Sequence, residues 1–180
     1  KRGGDFGFLN DGCAENALIS KANKGDSKAF ELLMDAHLKV IYNYIFIYVK
    51  GDEDIQDIVQ ETMLAVWSSL KSFRNNSSFR TWVIGIARRK IYDYYRNKYK
   101  IPAVSIFDSE HSLMVEDESE KLIKAVDLNN AIINLNSKEQ ELVFLAFNAQ
   151  LTYQEISEVI GVPVGTVKSR MSAIKSKLRK

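Results

Sequence analysis

Cysteine is nearly absent from this chain, and histidine and proline are scarce. With Cys13 alone among 180 residues, an internal disulfide or a cysteine-built metal site is excluded. His37 and His111 stand far apart and beside no cluster of ligand-type residues, so neither points to a metal. No cofactor is expected. Two prolines and nine glycines leave few helix breakers. No segment alternates polar and apolar residues with period two, which argues against a sheet. The strongest apolar run, "VIYNYIFIYV" (Val40–Val49), is about half of the roughly 20 residues that a bilayer requires. The first residues are Gly-rich and polar, without the apolar core of a secretion signal, and the expected location is the cytoplasm. Also missing are paired catalytic carboxylates, a nucleophile–base constellation and a Gly-rich phosphate loop. Neither an enzyme nor a small-molecule substrate is expected.

Net charge is close to balanced, 25 Lys+Arg against 23 Asp+Glu, but the charges are segregated. Arg74–Lys100 holds eight basic residues and one acid, Asp93. Lys168–Lys180 holds six basic residues and no acid. Acids gather at Asp52, Glu53, Asp54, Asp57 and Glu61, and again between Asp108 and Glu120. Such segregation predicts separate binding surfaces, although solvated helix faces can also be lopsided.

The pattern predicts an all-α protein of two small helical domains. Residues 1–14, Gly-rich at the start, read as a flexible tail, and 15–23 as a short helix. From Ser27 to about Tyr48, Phe30, Leu33, Met34, His37, Leu38, Ile41 and Ile45 recur three or four apart, which is helical spacing. "GDED" breaks the chain and places acids at the next helix N-terminus, where the dipole favours them. A third helix then runs to about Leu70 with Ile55, Ile58, Val59, Thr62, Met63 and Val66 inward. A polar loop, 71–78, leads into "FRTWVIGIARRKIYDYYR" (Phe79–Arg96). The first domain is taken as 15–100. Residues 101–120, acidic and containing Pro102, read as a linker. The second domain is 121–180, with helical pattern at 121–135 and capping boxes expected at Ser137/Gln140 and Thr152/Glu155.

"LTYQEISEVIGVPVGTVKSRMSAIKSKLRK" (Leu151–Lys180) has the grammar of a helix-turn-helix. Gly161 permits the tight turn, and Pro163 suits the first position of a second helix with Val167, Met171, Ile174 and Leu178 inward. That leaves Thr166, Lys168, Ser169, Arg170, Ser172 and Lys175 outward, small residues to enter a major groove and cations to neutralise phosphates. An αα-hairpin with a solvated basic end would share this pattern. In the first domain, Val83, Ala87, Ile91 and Tyr94 form one helical stripe suited to a core. Trp82, Arg89 and Arg96 fall on another face, flanked by Thr81 and Arg88. An exposed Trp beside arginines suits a stacked base with its backbone held by guanidiniums.

Two motifs in order, "DIVQETMLAVWSSLKSF" with "FRTWVIGIARRKIYDYYR", and then "TYQEISEVIGVPVGTVKSR", resemble regions two and four of bacterial RNA polymerase sigma factors. With only those regions and a short linker, the chain resembles the extracytoplasmic-function (ECF) class over residues 15–180. It departs at Arg89, where the class usually carries Asn, and in the Gly-rich tail. The resemblance implies a factor that binds core RNA polymerase and directs promoter-specific initiation. Asn75, Asn76, Ser77, Arg80, Thr81, Trp82, Arg88, Arg89 and Arg96 would hold the melted minus-ten strand. The helix-turn-helix residues above would read the minus-thirty-five element of promoter DNA. Asp57, Gln60 and Glu61, at i, i+3 and i+4, would form one polar patch for the polymerase. An anti-sigma factor, commonly membrane-bound, is the expected regulator, and the acidic linker would thread a polymerase channel. The competing reading is a stand-alone helix-turn-helix regulator that binds duplex DNA as a dimer, which has no use for the "DIVQE…FRTW…IAR" block.

Overall fold

A computed structural model describes residues 12–100 and 135–178. The described residues form seven α-helices and no strand: α1 (Gly12–Asn23), α2 (Ser27–Phe46), α3 (Asp52–Ser69), α4 (Phe79–Tyr99), α5 (Ser137–Val143), α6 (Tyr153–Ile160) and α7 (Val164–Lys177). The expected linker and most of the predicted helix at 121–135 lie outside the described residues, as does the start of the tail.

Each boundary has a local cause. Asp26 accepts a hydrogen bond from the Ala29 amide at 3.1 Å and so starts α2. Gly51, at φ +104°, turns the chain into α3, whose first turn carries Asp52, Glu53 and Asp54. Ser78 caps α4 by accepting from the Thr81 amide at 3.2 Å. Helices α2, α3 and α4 then bury most of the predicted stripes: Leu33, Met34, Ile41 and Ile45 meet Ile55, Ile58 and Val66, with Val83, Ala87 and Ile91 between, while Leu38 of the α2 stripe falls at its edge and is exposed. Helix α1 packs across α2, where Glu15 and the buried His37 pair at 3.0 Å. His37 is thus a partnered core histidine, as an isolated histidine in an apolar stripe usually is. Helices α3 and α4 run antiparallel, since Asp54 at the start of α3 accepts from Tyr94 and Lys98 near the end of α4, at 2.8 and 2.6 Å.

The second half starts on a capping box one residue earlier than expected. Asn136 accepts from the Glu139 amide at 3.0 Å, and Glu139 accepts from the Asn136 amide at 3.1 Å. The competing Ser137/Gln140 register loses because Gln140 instead donates to the Leu135 carbonyl at 2.9 Å. A π turn over Phe144–Asn148 continues α5. The expected box at Thr152 and Glu155 opens α6, and Gly161, at φ +72°, closes it. Ser157 donates to the Val162 carbonyl at 2.6 Å, which ties down the turn. Pro163 caps α7 from outside, one place before the first-turn position expected of it.

The halves share a core. Tyr44 of α2, fully buried, packs its ring at a tilt against Phe144 with centroids 5.9 Å apart, and α4 packs along α6. Helix α4 is also buried more broadly than its predicted stripe, at Phe79, Ile84 and Ile86, while Tyr94 of that stripe is only partly covered.

Candidate nucleic-acid interface

The loop before α4 carries Asn75, Asn76 and Ser77, and Asn75 sits at φ +55°, a left-handed conformation that Asn tolerates better than most residues. Between this loop and the N-terminal end of α1 opens a cavity of about 350 Å³. Its walls include Asn75 and Ser77 from the loop, Glu15 and Asn16 from α1, and the rings of Phe73 and Phe79. Asn76 is exposed beside it. The α1 wall is absent from the sequence reading, because no periodicity links residues 15 and 16 to a loop about sixty positions on. The cavity offers amide and hydroxyl groups to an edge and aromatic carbon to a face, which suits a flat heterocycle.

Trp82 is not the freely exposed ring that its wheel position predicts. It is partly buried, 5.1 Å from Phe73 and 5.7 Å from Phe79 between centroids. The aromatic cluster holds the indole against the two phenylalanines that line the cavity, and packing explains the miss: the loop folds Phe73 back onto the helix. Arg89 and Arg96 are exposed, and Arg96 donates to Asp93 at 2.8 Å. Three other predicted contacts face the second half of the chain rather than solvent. Thr81 is 4% exposed. Its hydroxyl donates to Glu155 at 2.9 Å. Arg80 donates to the Ala149 carbonyl at 3.1 Å. Arg88 donates to Glu141 at 3.3 Å. A helical wheel drawn on the first domain alone cannot include this neighbour.

Electrostatics follow this contact. Glu141 is buried, and Tyr44 donates to it at 2.5 Å. Burial raises the Tyr44 phenol well above its ordinary pKa, and the adjacent Glu141 charge adds to the effect. Burial of Arg88 works against its charge, but Glu141 together with Tyr44 and Tyr48 more than compensates, so its pKa is raised and it stays a cation. Burial pushes Glu155 up too. That push is outweighed by hydrogen bonds from the Thr152 amide and from the Ser78, Thr81 and Thr152 hydroxyls, which bring its pKa down to about 2.

On the duplex-reading side, α7 buries Val167, Met171 and Ile174 as predicted. Lys168, Ser169, Arg170, Ser172 and Lys175 are exposed, with Thr166 partly covered at the helix start. Lys177 is paired with Glu139 of α5. The face is therefore cationic and unobstructed by the described residues. On α3, Asp57, Gln60 and Glu61 are all exposed, with Glu61 3.3 Å from Lys90. Leu64 continues that row at i+7 and is 68% exposed, with Trp67 near it at 40%. This apolar extension went unnoticed in the sequence, although the spacing from Asp57 could have signalled it.

Comparison with known proteins gives the family. Residues 33–101 match the family model for sigma-70 region 2, and 125–178 the model for sigma-70 region 4. The ECF RNA polymerase sigma-E factor of Haemophilus influenzae is 28% identical over 174 residues, covering 87% of this chain and 89% of that protein. Its Escherichia coli K12 counterpart is 28% identical over 169 residues, covering 87% and 88%. Among solved structures, CnrH in complex with the cytosolic domain of CnrY shares the fold at a TM-score of 0.64, with 21% identity and coverage of 92% of this chain and 95% of that one. The sigma factor RpoE in complex with the anti-sigma factor NepR from Bartonella quintana does so at 0.62, with 21% identity, covering 84% and 95%. Two region models in the right order, relatives matched over most of their length, and a shared all-helical fold agree: the chain belongs to the ECF class of bacterial RNA polymerase sigma factors, which direct promoter-specific transcription initiation.

Proposed function

We propose that the first domain, 15–100, traps the opened minus-ten strand and the second, 121–180, reads the minus-thirty-five duplex. The observation that carries this reading is the cavity beside Trp82, with Arg89 and Arg96 exposed along the same helix. A base turned out of the stack would enter the cavity, its edge read by Asn75 and Ser77 and by Asn16 of α1. Trp82 would support a neighbouring base, and Arg89 and Arg96 would hold the backbone. Arg80, Thr81 and Arg88 extend the same track once the second domain has moved away. On α7, Thr166, Ser169 and Ser172 approach base edges while Lys168, Arg170 and Lys175 meet phosphates. Asp57, Gln60 and Glu61, with Leu64, dock on core polymerase.

The protein performs no chemistry of its own in this scheme: it supplies binding energy in the cytoplasm and needs neither metal nor cofactor. CnrH and the Bartonella RpoE were each solved with a binding partner, the latter an anti-sigma factor. By analogy, this chain would be held inactive by an anti-sigma partner.

The test is transcription from a library of genomic fragments by purified core polymerase, with and without this protein. New start sites sharing two spaced elements are expected. A palindromic footprint without polymerase, and no new start site with it, would instead favour a dimeric duplex-binding regulator.

A further inference from the structure

The cavity between α1 and the loop before α4 carries a single charge, and it is negative. Of the side chains that line it, Glu15 alone is ionic; the others are amides, hydroxyls and carbon. Amides and hydroxyls both donate and accept, so Asn16, Asn75 and Ser77 can adapt to the edge of any base. A carboxylate only accepts. Glu15 is therefore the one lining residue whose chemistry distinguishes donors from acceptors.

Glu15 is also held in place. Its Oε1 accepts from Nε2 of His37 at 3.0 Å, and His37 is buried in the core. Nδ1 of that ring has no partner among the described residues, so Glu15 is its one polar tie. Phe79 braces the imidazole from 5.3 Å between centroids, and the same Phe79 lines the cavity with Phe73. Among the described residues no donor meets Oε2 of Glu15. One oxygen is thus anchored to a buried ring while the other is uncommitted.

We infer that Glu15 sets the base preference of this cavity, selecting a base with an exocyclic amino group (cytosine, adenine or guanine) and rejecting thymine. The inference rests on the proposed reading of the cavity as a base pocket. Cytosine N4, adenine N6 and guanine N2 each bring N–H donors to the edge of a ring that can lie against the two phenylalanines. Thymine has no amino group, and its O2 and O4 flank a single N3–H. One or the other of those oxygens would face the carboxylate, acceptor against acceptor. A donor–acceptor match of this kind discriminates by about fivefold or more. His37 touches Glu15 and not the base, which makes it a positioning residue.

The experiment uses the full chain with core polymerase on a promoter recovered by the transcription test above. Each nontemplate position of the minus-ten element carries each of the four bases in turn, and initiation is measured for every template. With wild type, one position should favour an amino-bearing base over thymine by about fivefold or more. In Glu15→Gln the amide still accepts from His37 but can also donate. That preference should then fall below about twofold, with the other positions unchanged. His37→Leu should relax the same position, and His37→Gln, which keeps a donor, should retain its preference. A preference that survives His37→Leu removes the positioning role of His37. Asn75→Ala probes the pocket from its other wall. If Asn75→Ala shifts the preference at one position and Glu15→Gln shifts none, the inference is overturned and the base-pocket reading stands. If neither variant shifts any position, both fall. Loss of initiation in Glu15→Gln that is equal for all four bases makes Glu15 a structural residue and overturns the inference. Relaxation at a position where wild type prefers thymine overturns it too.

Discussion

Replacing Trp82 by Ala separates packing from stacking, because the ring packs in the structure and would stack in the proposed scheme. Truncating a fully buried Trp costs about 3–5 kcal/mol. Trp82 is only partly buried, against Phe73 and Phe79, so a loss of roughly half that, about 2 kcal/mol, is expected in urea unfolding of the first domain. Stacking of a base on the ring would add about 1–3 kcal/mol that appears only in the opened complex, a further 5- to 150-fold fall in open promoter. Fluorescence of 2-aminopurine placed in the minus-ten region, with saturating core polymerase, reads opening directly, and co-migration with core polymerase reads binding. Trp82→Phe is the control: it retains much of the packing and a smaller stacking face, so it should recover most of the stability and part of the opening. If Trp82→Ala lowers core binding as far as opening, or if Trp82→Phe restores opening completely, the ring acts only as a wedge between loop and helix. The base-stacking role would then be refuted.

Three further outcomes follow from named contacts. Lys168→Ala removes one exposed cation from α7, and should weaken upstream duplex binding evenly across sequences while reducing its log–log salt slope by about one. Glu155 has a pKa lowered to about 2 in the folded chain. Its contribution to stability is therefore complete above the ordinary carboxylate range and is lost as pH falls from about 4.5 toward 2. Thermal unfolding followed across that window should show a steeper acid loss in wild type than in Glu155→Gln. Gly161→Ala meets no steric neighbour but forces a side chain onto φ +72°, so it should cost about 1–2 kcal/mol in denaturant unfolding, with little change in helix content.

Much of this was legible in the sequence because the signals were local. The stripes of α2 and α3, the outward row on α7 and the Thr152 box all depend on residues a few positions apart, and helical geometry fixes those. The register of the α5 cap was missed by one, since Asn136 and Ser137 are both good caps and only the fate of Gln140 decides between them. The site was legible in part. Asn75 and Ser77 line one cavity and Arg89 is exposed, as expected, whereas the α1 wall and the environment of Arg80, Thr81 and Arg88 depend on segments far away in the chain. Trp82 lies between these cases: its face was predicted, but the ring of Phe73 folding back over it was not. Side chains met across a tertiary contact leave no periodic trace.

The contact between the two halves also orders events in time. Its hydrogen bonds join residues 53 to 97 positions apart, Arg88 to Glu141 and Tyr44 to Glu141, while the helices of each half are stabilised by much nearer neighbours. Distant pairings form late, because the intervening chain must first be confined. During synthesis α4 leaves the ribosome before Glu155 does, and domains generally fold as they emerge. A nascent chain thus passes through an interval in which α4 is folded and nothing covers its arginines. That interval lasts for the time taken to translate the remainder. For those seconds the side of α4 that Glu141 and Glu155 later meet is open to solvent.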